Sequence, residues 1–195
     1  MEIRPRLILF ARYPVPGECK TRLIPAVGPE GAAAIHRQLA QRTAELLRTS
    51  GCEVTVAITG ADPDAFARWL GAGMDFVPQT DGDLTDRLLP FVDHAPVIFF
   101  GSDTPDLSAS HIDEAVRALV NSEVVIGPAE DGGYYLIGMQ RPLPELLTDM
   151  LWSTDQVLPE TLRRLEQMGI APHLLETLSD CDTPEDLARW PELTA

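Results

Sequence analysis

Leu7-Ile8-Leu9-Phe10-Ala11 runs directly into Arg12-Tyr13-Pro14-Val15-Pro16-Gly17-Glu18-Cys19-Lys20-Thr21-Arg22-Leu23. An unbroken apolar run without polar alternation describes a strand covered on both faces, the pattern of a central strand in a parallel sheet. The stretch after it differs in kind. Its prolines pre-set φ and its glycine permits close backbone approach, so the loop can present amides and an ammonium to an anion. Lys20 is the only lysine in a chain that otherwise carries its positive charge on arginine. An ammonium is a compact point charge, suited to a single phosphate oxygen. A cationic Pro/Gly loop at the carboxyl end of a buried strand reads as a phosphate site; the competing reading is an ordinary surface loop. It is not a Walker A loop, because Cys19 stands where a glycine should precede Lys-Thr, and no Gly-x-Gly-x-x-Gly occurs.

Outward from this stretch, apolar runs alternate with helical periodicity. Further strands are expected at 54–58, 74–77, 96–100 and 124–126, an extended segment at 134–139, and a last strand near 173–178. Helices are expected at 28–50, after Asp62 as cap with Pro63 in its first turn, and at 110–120 with Ser110 and Asp113 as caps. Another helix begins at Ser153 or at Pro159, and a terminal helix starts at Thr183 with Asp182 as cap. Strands alternating with helices imply an α/β fold: a mostly parallel sheet with helices on both faces, in one domain spanning 1–195. Ligands in such sheets bind beyond the carboxyl ends of the strands, so residues placed there carry the function.

Composition narrows the partners. The net charge of −15 argues against nucleic acid, which needs a basic footprint. It suits either a small anionic ligand neutralised with the help of a divalent metal, or simple solubility. Cys19, Cys52 and Cys181 lack C-x-x-C spacing and read as reduced thiols. The first eleven residues contain an apolar run too short for a signal peptide, and no stretch approaches the ~20 apolar residues that span a bilayer. A cytoplasmic protein is expected. The apolar helix positions serve either the core or a contact in a homo-oligomer.

The polar residues at successive strand ends define the chemistry. After the third strand, Gln79 and Asp83 can meet a base edge with Gly82 admitting the ring, or form a solvated turn. After the fourth comes Gly101-Ser102-Asp103-Thr104-Pro105. A carboxylate ending a fully apolar strand needs a partner: either a hard cation such as Mg²⁺ or Mn²⁺, which prefers oxygen ligands, or the following turn, which it would cap. After the fifth, Asp131-Gly132-Gly133-Tyr134 is either a hairpin turn or a place for a second substrate with Asp131 as base. Asp182 offers a second metal carboxylate as well as a cap. Trp152 lines an acceptor side or a core. The four histidines share no ligand spacing, and no serine-hydrolase elbow occurs.

Together, Phe10-Ala11-x-x-Pro14-x-Pro16-Gly17-x-x-Lys20-Thr21-Arg22-Leu23, Gly82-Asp83-Leu84-x-x-Arg87-Leu88, Gly101-Ser102-Asp103-Thr104-Pro105, Asp131-Gly132-Gly133-Tyr134-Tyr135-Leu136-Ile137-Gly138 and Trp152-Ser153-Thr154 resemble the bacterial domain of unknown function 2064 family. Its members are glycosyltransferase-A-like proteins of the nucleotide-diphospho-sugar transferase superfamily, related to phospholactate guanylyltransferases. The resemblance implies a three-layer α/β/α Rossmann-like sheet, mostly parallel with one antiparallel strand. It implies nucleotide contacts from Ala11, Arg12, Gly17, Lys20, Thr21, Arg22, Gln79, Gly82, Asp83 and Arg87. Acceptor contacts would come from Gly132, Gly133, Tyr134 and Trp152, and Mg²⁺ or Mn²⁺ would bind Asp103 and Asp182. Lys20, Asp103 and Asp131 would carry catalysis. The chain departs from the family pattern at Arg12, where lysine is common, and at Thr85, where glycine is common. Expected partners are a nucleotide-sugar or nucleoside triphosphate and a small acceptor. The reaction is then glycosyl transfer from a nucleotide-sugar, or nucleotidyl transfer from a triphosphate to a phosphorylated small molecule. A nucleotide-binding protein without turnover is the third reading.

Overall fold

The computed structural model describes residues 4–194; Met1–Ile3 and Ala195, part of the expected 1–195 domain, lie outside them. Its strands are β1 (Arg6–Arg12), β2 (Val54–Thr59), β3 (Asp75–Pro78), β4 (Val97–Phe100), β5 (Val124–Pro128), β6 (Tyr134–Met139) and β7 (His173–Leu174). They form one sheet in the order β3-β2-β1-β4-β6-β5-β7. Every neighbouring pair is parallel except the two made by β6, which runs against β4 and β5. The fold is therefore the expected α/β sheet with one reversed strand.

Alternation along the strands divides the core into two. Leu7, Leu9 and Ala11 of β1 face one side, where they meet α1 (Ile24–Thr49), α2 (Pro63–Leu70) and α4 (Ala109–Asn121) through Ala44, Phe66 and Ile112. Ile8 and Phe10 face the other, with α3 (Leu84–Val92) and α5 (Val157–Met168) supplying Leu88 and Leu165. Because both faces of β1 are covered, its run contains no outward polar position to interrupt it. A third cluster joins the first half of α1 to the carboxyl-terminal segment: Leu23, Ile35 and Leu39 pack on Cys181, Trp190 and Leu193. This clasp matters for the site.

Several boundaries differ from the sequence reading. The cap of α4 is Ser108, paired with His111, and not Ser110 with Asp113. Helix α5 starts at Val157, so Pro159 lies in its first turn, where an amide has no intrahelical acceptor to lose. The last strand has only two residues, with an isolated bridge from Leu178 to Ala129. No terminal α-helix starts at Thr183. Asp186 accepts the amides of Asp182 and Thr183, and the chain then makes 3₁₀ turns at Asp186–Arg189 and Pro191–Thr194. Asp182 is thus not a cap, and its carboxylate is free to point elsewhere.

Candidate active site

Lys20 stands where β1's loop turns into a 3₁₀ turn, with a left-handed backbone at φ 42°. That conformation costs an L-residue about 1–2 kcal/mol, and strain of this kind persists where the surroundings hold it. Here it drives the side chain inward until it is only 3% exposed. The ammonium lies 2.7 Å from Asp103 Oδ1 and 2.9 Å from Asp182 Oδ1, and it donates to the Cys181 carbonyl at 2.7 Å. Burial on its own would lower the lysine's pKa. The charges and hydrogen bonds of Asp103 and Asp182 outweigh it, and the pKa is raised.

Three strand-end segments are stitched together around this ammonium. The Cys181 amide donates to the Asp103 carbonyl at 2.9 Å. The Thr104 hydroxyl donates to Asp180 at 2.6 Å, and Trp190 Nε1 donates to Asp106 at 3.1 Å. The clasp of Trp190 and Cys181 on α1 holds the same segment from beneath. Asp180 itself is half-buried, and its desolvation, reinforced by the charges of Asp103, Asp131 and Asp182, pushes its pKa up to about 6 against the Thr104 hydrogen bond.

Lys20, Thr21, Arg22, Asp131, Ser153, Thr154, Asp155 and Asp182 line a cleft of about 490 Å³. That size suits a small-molecule ligand. Arg22 has no hydrogen-bond or ion-pair partner among the described residues, and its guanidinium is exposed at the rim. On the other flank, the Asp131-Gly132-Gly133 turn meets the segment before α5. Gly132 has φ 89°, and a Cβ there would lie 2.5 Å from the Asp155 carbonyl, so backbone packs on backbone. Its carbonyl accepts the Leu158 amide at 2.8 Å. Asp131 Oδ1 accepts the Gly133 amide at 2.9 Å, which fixes that carboxylate and leaves its second oxygen unengaged.

The structure does not gather every expected residue into this cleft. Gln79, Gly82, Asp83 and Arg87 form their own cluster at the β3–α3 turn. Asp83 caps α3, Gln79 donates to the Ala57 carbonyl, and Arg87 reaches Gln79 and the Gly82 carbonyl. Gly17 lies in the loop before Lys20, and Arg12 is exposed with a loose 3.6 Å pairing to Glu18. Trp152 stacks edge-to-face on Tyr134 and donates to the Thr85 hydroxyl at 2.8 Å; neither ring lines the cleft. Thr85, one of the two departures from the family pattern, also donates to the Leu147 carbonyl and so anchors the 147–152 segment.

Sequence reasoning missed Asp180, Ser153–Asp155 and His36. The buried His36 ring lies 2.9 Å from the Arg12 carbonyl through Nε2 and 4.0 Å from Asp103 Oδ1 through Nδ1. Its position inside an apolar helix face was a signal, but one shared with any satisfied core histidine.

The carboxylates available to a divalent cation are Asp103 and Asp182, each with one oxygen against the Lys20 ammonium. Asp103 Oδ1 is buried, and although the ammonium is close it has no aligned hydrogen-bond donor. Among the described residues no cluster of three ligands is preassembled. Two carboxylates completed by substrate oxygens is the usual arrangement for Mg²⁺, which keeps few protein ligands.

The profile of the DUF2064 family, described as "Uncharacterized protein conserved in bacteria", matches residues 42–154. Asp103 and Asp131 fall inside that span, Lys20 and Asp182 outside it. A candidate nucleotide-diphospho-sugar transferase from Desulfovibrio desulfuricans G20 is similar at 30% identity and a TM-score of 0.87, over 94% of this chain and 84% of that one. The Rv0371c structure in complex with manganese, from Mycobacterium tuberculosis H37Rv, shares the fold at 17% identity and a TM-score of 0.58, over 97% and 99% of the two chains. So does the 2-C-methyl-D-erythritol 4-phosphate cytidylyltransferase from Thermus thermophilus, at 20% identity and 0.51, over 100% and 99%. No curated protein matches the chain.

Proposed function

This chain belongs to the DUF2064 family, and on that footing we propose that it is a transferase using a nucleotide-activated donor, transferring a glycosyl group from a nucleotide-sugar to a small acceptor. One observation carries the reading: a single buried ammonium within 2.9 Å of two carboxylates from distant parts of the chain, in a cleft that Arg22 also lines. Arg22 binds the donor's phosphates with Thr21 beside it, and Lys20 joins them once its ammonium turns from Asp103 and Asp182. Asp103 and Asp182 hold Mg²⁺ or Mn²⁺, which when bound supplies the charge that stabilises a departing nucleoside diphosphate. Asp131, fixed by the Gly133 amide, takes the proton of an acceptor hydroxyl. The acceptor oxygen then bonds to the anomeric carbon as the bond from that carbon to the phosphate oxygen breaks, and the diphosphate leaves with the electron pair.

A second reading keeps the site and changes the donor. Lys20 and the unpaired Arg22 suit the charge of a triphosphate attacked at its α-phosphate, which favours nucleotidyl transfer. A binder without turnover has less support, since it needs no pair of metal carboxylates.

Thermal stability measured against nucleoside triphosphates and nucleotide-sugars, with and without Mg²⁺ or Mn²⁺, separates these readings. A ligand at 100 times its Kd adds about 2.7 kcal/mol. Stabilisation by nucleotide-sugars supports glycosyl transfer, and stabilisation by triphosphates alone supports nucleotidyl transfer. Product analysis then distinguishes an enzyme from a binder. Asp103→Asn is expected to remove the metal-dependent part of the shift while unfolding stays cooperative. An unchanged metal response in that variant removes Asp103 from the site.

A further inference from the structure

We infer that the acceptor is a hydroxyl compound without phosphate, neutral or cationic, selected by the charge of one flank of the cleft. The inference rests on the transferase reading and deepens it. β1 and β5 are separated by β4 and β6, so the strands from which the two flanks' loops depart lie three spacings apart, roughly 14 Å, while the Lys20 ammonium itself reaches across to Asp103 and Asp182. The β1 end carries Lys20 and Arg22; the β5 end carries Asp131, Ser153, Thr154 and Asp155.

What decides the charge of the second flank is how its neighbouring cations are used. Arg163 forks onto Glu160 at 2.7 Å. Arg164 donates to Glu160 and to the carbonyls of Glu145, Thr148 and Asp149. Arg189 is paired with Glu130 at 2.8 Å. These three arginines, on α5 and beside Glu130, are thus paired elsewhere and do not line the cleft, whose arginine is Arg22. The carboxylates are not: Asp131 keeps one oxygen free, and Asp155 is paired only with the amide of Gln156. Ser153 and Thr154 add hydroxyls at the same surface. Such a flank accepts hydrogen bonds from hydroxyl or ammonium groups and repels a second phosphate.

Phosphate itself is the probe. In a residue-resolved NMR titration of the whole protein with inorganic phosphate, the amides of Lys20–Arg22 should move. Those of Gly132, Gly133, Thr154 and Asp155 should stay still. In the double variant Asp131→Asn/Asp155→Asn the second set should begin to move, with phosphate affinity there raised at least tenfold. Asparagine keeps the Oδ1 that accepts the Gly133 amide, so the turn is retained. Millimolar phosphate binding at Gly132–Gly133 and Thr154–Asp155 in the wild type would overturn the inference, as would a double variant that binds no better. Failure of the transferase reading looks different: UDP-glucose or GTP with Mg²⁺ would leave Lys20–Arg22 unmoved, and the phosphate comparison would stand.

Discussion

Replacing Lys20 by arginine keeps the charge and changes its shape. The slot that admits an ammonium between Asp103, Asp182 and the Cys181 carbonyl leaves the side chain 3% exposed, with no room for a planar fork. Lys20→Arg is therefore expected to lower kcat/KM by about 100-fold, the scale of losing one positioned donor, and to lower Tm because the slot is overfilled; near-normal turnover would take the ammonium out of the reaction. Asp180 gives a pH signature. Its carboxyl is held above the ordinary value of 3.8, at about 6, so the folded chain binds that proton more tightly than the unfolded chain. Its contribution is fully present below the unfolded pKa and is lost as pH rises from about 4 to about 6. Asp180→Asn should accordingly stabilise the metal-free protein at pH 7.5, by no more than about 3 kcal/mol at 1.36 kcal/mol per unit, and much less at pH 4. Urea titrations at the two pH values check this, and an equal effect at both would show that no shifted proton is involved.

Among the elements, the segment from Asp180 to Leu193 does for the cleft what a helix would have done less well. The sequence Asp182-Thr183-Pro184-Glu185-Asp186 has the letters of a helix start, and the reading placed one there. Asp186 instead takes the amides of Asp182 and Thr183, the chain makes only 3₁₀ turns, and Asp182 is released toward Lys20. Local cap propensity could not foresee that choice, because it is made by the packing of Trp190 and Cys181 on α1. The central strands were legible for the opposite reason: β1 and β4 are apolar throughout, and burial on both faces leaves no competing reading. Trp190→Ala removes that packing and the bond to Asp106. Loss of about 3–5 kcal/mol is expected from such a truncation, together with loss of nucleotide-induced stabilisation. A variant with lowered stability but an undiminished nucleotide shift would separate the clasp from the site.

At the scale of the whole molecule, the proposed donor is an anion and the chain is acidic. The net charge of −15 repels nucleotides at long range, whereas Lys20 and Arg22 act only within the cleft. Without divalent ions, raising KCl from 10 to 100 mM should therefore speed nucleotide association, as stopped-flow fluorescence would show; a slower rate would mean that the local cations govern encounter. The same scale explains what the sequence could and could not yield. Lys20, Asp103 and Asp182 were nameable because each follows an apolar run or a motif. Asp155 reaches the cleft region through its packing on Gly132, and His36 through the Arg12 carbonyl and Asp103; the Trp152-Ser153-Thr154 motif marks the first segment without giving its place, and nothing linear marks the second. Lys20 and Asp182 lie 162 positions apart. A chain made from its amino end thus exposes the lysine to the ribosome exit long before its second carboxylate exists. The nascent protein can pair its first strands early, but the Lys20–Asp182 contact and the clasp that holds it form only after translation has passed Trp190. On the proposed reading, unfinished or clipped copies lack the complete site.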